Sequence, residues 1–148
     1  MVQRLPLPSK RILKMAFTVG KLAEIAEVNI ETIRYYERRG LLPEPKRNES
    51  GYRVYDSEAL NQLYFILNAK KVGFSLREIG ELLSLKVIPD TRCTDVRIRA
   101  EEKIREIDRK IAELKRIRRA LDRLTRACKE NAPVEECRII QILSNKPF

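Results

Sequence analysis

Histidine and tryptophan are absent from this chain, and glycine (5), proline (7) and cysteine (3) are sparse among its 148 residues. Without histidine the commonest general base and the commonest nitrogen ligand for a transition metal are both excluded. Any such metal site must be built from sulfur, or from sulfur and carboxylate. So little glycine and proline, with 43% hydrophobic residues, argues against disorder and for a helix-rich soluble protein. No apolar run approaches the roughly 20 residues that span a bilayer, so no membrane partner is expected. Met1 to Lys14 is basic, with neither a continuous apolar stretch nor a small-residue cleavage site, unlike a signal peptide. Residues 1–14 are expected to be a disordered extension without function, the alternatives being a disordered basic arm or a start at Met15, which stands directly before the first structured-looking residue. An odd number of cysteines in a chain that reads as cytoplasmic argues against a disulfide framework. There is no phosphate-cradling glycine loop and no nucleophile–base arrangement, so an enzyme is not expected.

What is present is positive charge. Thirty-one Lys and Arg against 21 Asp and Glu give a formal +10 and a pI near 9.8, which points to a polyanionic partner. The cations run through both halves, which favours nucleic acid over an anionic membrane. At this length the chain can bury one modest core with an appended helix or two.

Thr18 opens a short helix to about Ala26, with Val19, Leu22, Ala23 and Ala26 on one face. After a turn at Glu27-Val28, Asn29 caps a second helix from Ile30 to Arg38, which Gly40 ends. Two short helices on a tight turn make a helix-turn-helix pattern, although a generic helical hairpin has the same signature. Between Leu41 and Tyr55 the helix breakers Pro43, Pro45, Asn48 and Gly51 precede an alternating Tyr52-Arg53-Val54-Tyr55, the pattern of a small hairpin or wing. Asp56 or Ser57 then caps a helix to about Val72, with Leu60, Leu63, Ile66 and Leu67 inward, and Gly73 stops it. Ser75 and Glu78 form a capping box for a helix carrying Leu76, Ile79, Leu82 and Leu83.

Past Pro89-Asp90 one long helix is expected from about Thr94 to Cys128. Its apolar positions, Ala100, Ile104, Ile107, Ile111, Leu114, Ile117, Leu121 and Leu124, alternate spacings of four and three apart from one repeated three. That is a coiled-coil seam with a stammer-like slip, and its length and charged remaining face favour a partner helix. Asn131-Ala132-Pro133 form a loop, and Val134 to Leu143 suit a short amphipathic helix. The fold class expected is mainly α. The domains are an extension (1–14), a winged helix-turn-helix domain with linker helices (15–85), a linker and coiled-coil dimerisation helix (86–128), and a metal-binding loop with a short C-terminal helix (129–148).

In the second helix Ile33 faces inward, leaving Thr32, Arg34, Tyr35 and Arg38 as candidates for groove contact. Arg pairs two-pronged with guanine or binds phosphate, and Tyr donates to phosphate. Arg53, with Tyr52 beside it, would reach a neighbouring phosphate, a contact that positions more than it reads sequence. Thr18-Val19-Gly20-Lys21-Leu22-Ala23, Val28 with Arg34 to Leu42, Gly51-Tyr52-Arg53-Val54-Tyr55 and Gly73-Phe74-Ser75-Leu76-Arg77-Glu78-Ile79 resemble, in that order, the MerR family of transcription regulators. The resemblance runs from about Phe17 to Leu143. It implies a winged helix-turn-helix domain, a long antiparallel coiled coil and a homodimer on a palindromic element of double-stranded promoter DNA. It also implies that Thr18, Arg34, Tyr35 and Arg53 contact the DNA.

Cys93 lies just before the long helix, Cys128 at its end and Cys137 past the next loop. Cys93 and Cys128 are 35 residues apart, which as continuous helix is roughly 50 Å, so the two thiols of one chain cannot share an ion. An antiparallel helix pair sets Cys93 of one protomer beside Cys128 of the other, and Cys137 can fold back over the same place. Two equivalent sites are expected, one at each end of the coiled coil. Three thiolates without histidine suit a soft cation. Zinc would need a carboxylate or water as its fourth ligand. Hg(II), which accepts a trigonal thiolate set, fits better, with Pb(II) and Cd(II) open. Arg92, Lys129 and Arg138 would favour the thiolates if they lie beside them in space. Against this stands cysteine as a small buried hydrophobe, Cys128 being on the apolar seam.

The cysteine positions resemble the mercury-responsive branch of the family, except that Arg138 stands where that branch usually has proline, and the lead and cadmium branches use similar positions. The resemblance implies repression without metal, and activation with it as a distorted promoter engages RNA polymerase. The same geometry allows a thiol redox sensor that forms an intersubunit disulfide.

Overall fold

The computed structural model describes residues 16–128 and 133–145. Helices dominate it, as the composition requires. The chain divides between Val96 and Arg97 into two compact units.

In the first unit each helix begins where a side chain satisfies an orphan backbone N–H. Thr18 Oγ1 accepts from Lys21 N–H at 3.2 Å and opens α1, Val19–Ala26. Asn29 Oδ1 accepts from Thr32 N–H at 2.8 Å and opens α2, Ile30–Arg38. The turn between them holds Glu27 in the left-handed region at φ 55°, so no glycine is used there. Asp56 caps α3, Ser57–Lys71, through Ala59 N–H. The expected capping box of Ser75 and Glu78 is present at the start of α4, Leu76–Leu85. Gly40, at φ 68°, lets α2 stop and turn back.

The wing is a hairpin of β1, Lys46–Arg47, and β2, Arg53–Val54, paired antiparallel with Lys46 opposite Val54 and Arg47 opposite Arg53. The strand is shorter than the expected 52–55 stretch. Tyr52 belongs to the turn, where Asn48 Oδ1 accepts from its N–H at 2.9 Å and from Ser50 N–H at 3.1 Å. Tyr55 leaves the hairpin to form a bridge with Phe17.

These pieces close over one core. Leu22, Ile33, Leu63, Ile66 and Ile79 are wholly inaccessible, and Phe17, Tyr36, Leu41, Leu42, Tyr55 and Leu60 lie among them. Leu67, Leu76 and Leu83 pack against this cluster from its half-buried edge, and Val19 does the same.

The long helix, α5, runs over Cys93–Arg126, 34 residues. It begins one residue earlier than expected, with Cys93 as its first residue. The Asp95 carboxylate accepts from Arg92 N–H at 2.7 Å, and Asp95 N–H donates to Arg92 C=O, which makes Arg92 the cap. It ends two residues short of Cys128, where the hydrogen bonds tighten: Ala127 N–H reaches both Arg123 and Leu124, and Cys128 N–H reaches Thr125. The expected helix over 134–143 is split. A 3-10 turn, Val134–Glu136, is followed by α6, Arg138–Leu143, with Cys137 in extended backbone between them. The expected extension at 1–14, together with Met15, Lys129, Asn131 and Ala132, lies outside the described residues.

Candidate nucleic-acid interface and thiol site

Burying Ile33 and Tyr36 fixes which face of α2 is left outside. Arg34, Tyr35, Arg38 and Arg39 are exposed. Arg34 has no ion pair among the described residues and stands free to meet an acceptor. Arg38 is paired, its Nη2 lying 3.1 Å from Glu31 Oε1 across two helical turns, with both side chains well exposed. An exposed pair of this kind holds weakly, so a phosphate can displace the carboxylate. The Arg39 guanidinium sits over the Tyr35 ring, 5.8 Å from its centre, and steadies a phenol that is itself 40% exposed.

The two threonines differ. Thr18 is exposed, with its oxygen accepting the Lys21 cap bond. Thr32 donates its hydroxyl proton to Asn29 Oδ1 at 2.7 Å, which commits the proton a phosphate would need.

In the wing, Tyr52 is 69% exposed and Arg53 is exposed beside it. The turn that presents them is fixed by Arg47, whose Nη1 donates to Gly51 C=O at 2.8 Å, and by Gly51 at φ 81°. Between the wing and α2 lies an open cleft of about 570 Å³ lined by Arg34, Glu37, Arg38, Glu44, Pro45 and Arg53. The structure therefore brings Arg34, Arg38 and Arg53 to one concave surface.

Glu37 is a member of this surface that the pattern of cations did not single out. Its Oε1 accepts from Tyr55 Oη–H at 2.5 Å, and its Oε2 lies 3.5 Å from Arg53 Nη1. Burial pushes the Tyr55 phenol well above its ordinary range, and the bond to Glu37 pushes it further. It therefore stays protonated and donates. The available sequence signal was an acid placed four residues after the buried Ile33 and three after Arg34, at the edge of the inward face of α2.

All three cysteines are free; Cys93 and Cys128 are exposed and Cys137 is half-buried. Cys93 heads α5 in one unit, and Cys128 and Cys137 belong to the other. Among the described residues of the single chain, no three cysteine or carboxylate groups are gathered as a metal site. The seam positions Ile104, Ile107, Ile111, Leu114, Ile117 and Leu121 stand 39–63% exposed. Arg92 and Arg138 are exposed neighbours in sequence of Cys93 and Cys137. Among the described residues, no helix is long and apolar enough to cross a membrane.

Comparison with known proteins identifies this architecture. Residues 17–86 match the MerR HTH family regulatory protein model, and residues 60–124 match the MerR, DNA binding model. A mercuric resistance operon regulatory protein of Bacillus cereus is 46% identical over 132 residues, 89% of this chain and 100% of that protein. The dual function transcriptional regulator MerR of Bacillus megaterium MB1, solved in complex with mercury (II) ion, is 41% identical with a TM-score of 0.72, covering 87% of this chain and 100% of that one. The transcription regulator PbrR691 of Ralstonia metallidurans CH34, solved in complex with Lead(II), is 34% identical with a TM-score of 0.79, covering 86% and 99%. A helix-turn-helix with its wing, two following helices and then a long helix, matched over nearly the whole chain, place this protein in the MerR family of helix-turn-helix regulators.

Proposed function

We propose that this chain is a metal-responsive transcription regulator of the cytoplasm. It acts as a homodimer on promoter DNA and senses Hg(II) through Cys93, Cys128 and Cys137. The observation that carries this reading is three free thiols in a chain without histidine, Cys93 heading α5, Cys128 two residues past its end and Cys137 nine residues further along the sequence. An all-sulfur donor set selects a soft ion, and the resemblance to a mercuric resistance regulator and to a mercury-bound structure supports Hg(II) within that class. Pb(II), which a 34% identical relative binds in its solved structure, and Cd(II) are the alternatives.

The residues do the following in this reading. Arg34 and Tyr35 on α2, with Thr18, Arg38, Tyr52 and Arg53, hold the phosphates and base edges of the operator. The exposed seam of α5 buries itself against the same seam of a second copy running antiparallel. Cys93 of one protomer then faces Cys128 and Cys137 of the other, and thiolates from two chains hold the ion. Bound there, a soft cation supplies metal–sulfur bonds that tie the two chains together. The dimer represses without metal. With metal it distorts the promoter so that RNA polymerase engages it and metal-resistance genes are transcribed.

The test is a reporter assay with Cys93→Ser, Cys128→Ser and Cys137→Ser. Each is expected to lower the Hg(II) response by about 100-fold or more, since losing a ligand exceeds the 10–100-fold cost of losing its support. Gel-shift affinity for the promoter should stay within about twofold, because the thiols lie outside the DNA contacts. Retained Hg(II) response in all three variants would show the site assignment to be wrong. Titration with Hg(II), Pb(II), Cd(II) and Zn(II), read by thiolate-to-metal absorbance, ranks the ions. Thiol counting after peroxide and after Hg(II) separates metal capture from disulfide formation.

A further inference from the structure

Glu37 carries the wrong sign for its position. It is an acid on the helix that presents Arg34, Arg38 and Arg39, beside Arg53, on a surface proposed to meet phosphates. Coulomb repulsion from a carboxylate in that cleft opposes DNA. Yet the side chain is not a loose surface acid. It is only 12% exposed, and both of its oxygens are engaged, Oε1 by the Tyr55 hydroxyl and Oε2 by the Arg53 guanidinium.

Tyr55 is fixed in turn. The residue is 2% exposed, and its backbone exchanges two hydrogen bonds with Phe17, at 2.7 and 2.8 Å. Phe17 immediately precedes the Thr18 cap of α1. One carboxylate thus links α2 to the wing directly and, through Tyr55, to the start of α1. Arg53 lies in a two-residue strand whose other ties are the short ladder to β1. A guanidinium on so small a hairpin has many rotamers, and its fork geometry contributes most when it is held in advance.

Building on the DNA-binding reading above, we infer that Glu37 is a positioning residue for DNA recognition. It aims the Arg53 guanidinium into register with Arg34, sacrificing some general attraction for DNA to fix the wing. Tyr55 anchors the carboxylate, so the aim of Arg53 is set by α2 and not by the hairpin alone.

The experiment uses the full chain and a double-mutant cycle of Glu37→Gln and Arg53→Gln. Glutamine keeps an oxygen for the Tyr55 hydroxyl and removes the charge that holds Arg53. Affinity is measured over a salt series for two duplexes, the one the protein selects from a random library and an unrelated one. Arg53→Gln is expected to weaken operator binding about tenfold and to lower the salt slope by about one. Glu37→Gln is expected to weaken operator binding about threefold while tightening the unrelated duplex about twofold, because the repulsive charge has gone. In the Arg53→Gln background, Glu37→Gln should no longer weaken operator binding.

An unchanged salt slope and operator affinity in Arg53→Gln overturn the underlying assignment of the wing. If Arg53→Gln behaves as expected, the inference itself is overturned by Glu37→Gln weakening both duplexes alike, or weakening the operator equally in both backgrounds. Tyr55→Phe guards against a folding defect in the glutamine variant. It leaves Glu37 charged but unanchored and should weaken operator binding about twofold to threefold, and unchanged affinity overturns the anchoring role.

Discussion

The first unit encloses a core of apolar side chains, and the long helix of the second leaves its apolar stripe exposed. Between Phe17 and Leu82 sixteen hydrophobic residues are buried, several with no accessible surface. In α5 the one buried side chain among the described residues is Lys103, while its isoleucines and leucines from Ile104 to Leu121 stand at the surface. Both stretches are helical and both are amphipathic. The difference is that the four helices and the hairpin of the first unit enclose one another, whereas α5 leaves its apolar stripe at the surface of the single chain. The core of the first unit is therefore closed within one chain, and in the dimer proposed above a second copy would cover the stripe of α5.

The largest effect that would break this contrast is at the seam. Ile111→Asp with Leu114→Asp places four carboxylates across an antiparallel pair and removes four buried side chains. At about 1.5 kcal/mol or more for each, the dimer should weaken by about four orders of magnitude. Analytical ultracentrifugation is expected to find a monomer whose first unit still gives native tyrosine signals. A dimer that survives would mean that α5 does not bear the assembly.

A smaller effect is expected in the first unit. Leu63→Ala empties a wholly buried position and should cost about 2–5 kcal/mol through lost transfer energy and the cavity left behind. Thermal unfolding of the first unit at several protein concentrations reads it. An equal loss of dimer affinity would show that the two units do not stabilise independently.

The smallest effect concerns pH and belongs to α5. Hydrogen bonds from Lys103 and Lys110 hold the Glu106 carboxyl down at about 2 from an ordinary 4.5. A depressed folded value means that this stabilisation is present above pH about 4.5 and drains away as pH falls toward about 2. Far-UV circular dichroism over that interval should show helix lost more steeply in the native chain than in Glu106→Gln. Identical acid profiles would show that the two lysines do not hold Glu106.

The helices were readable because their signals are local. Asn29, Asp56 and Ser75 each sit three residues before the N–H they accept from, and apolar spacing set which faces turn inward. Boundaries were readable less well. The tightened bonds that end α5 before Cys128, and the break at Cys137, depend on backbone hydrogen bonding that residue type does not specify. The arginines of α2 were legible as exposed side chains around a buried Ile33. The roles of Thr32 and Glu37 were not, because a hydroxyl or carboxylate has one sequence signature whether it meets solvent, a cap or a neighbour.

Sequence by itself determined the order of elements, the lack of any histidine and the net positive charge, since each follows from residue types alone or at short range. Tertiary structure decided what Glu37 does. It stands 18 residues from Tyr55, and no helical or strand period joins positions so far apart. Only the closing of the core, with Tyr55 bridged to Phe17 and buried beneath the wing, sets the hydroxyl and the Arg53 guanidinium on either side of that carboxylate.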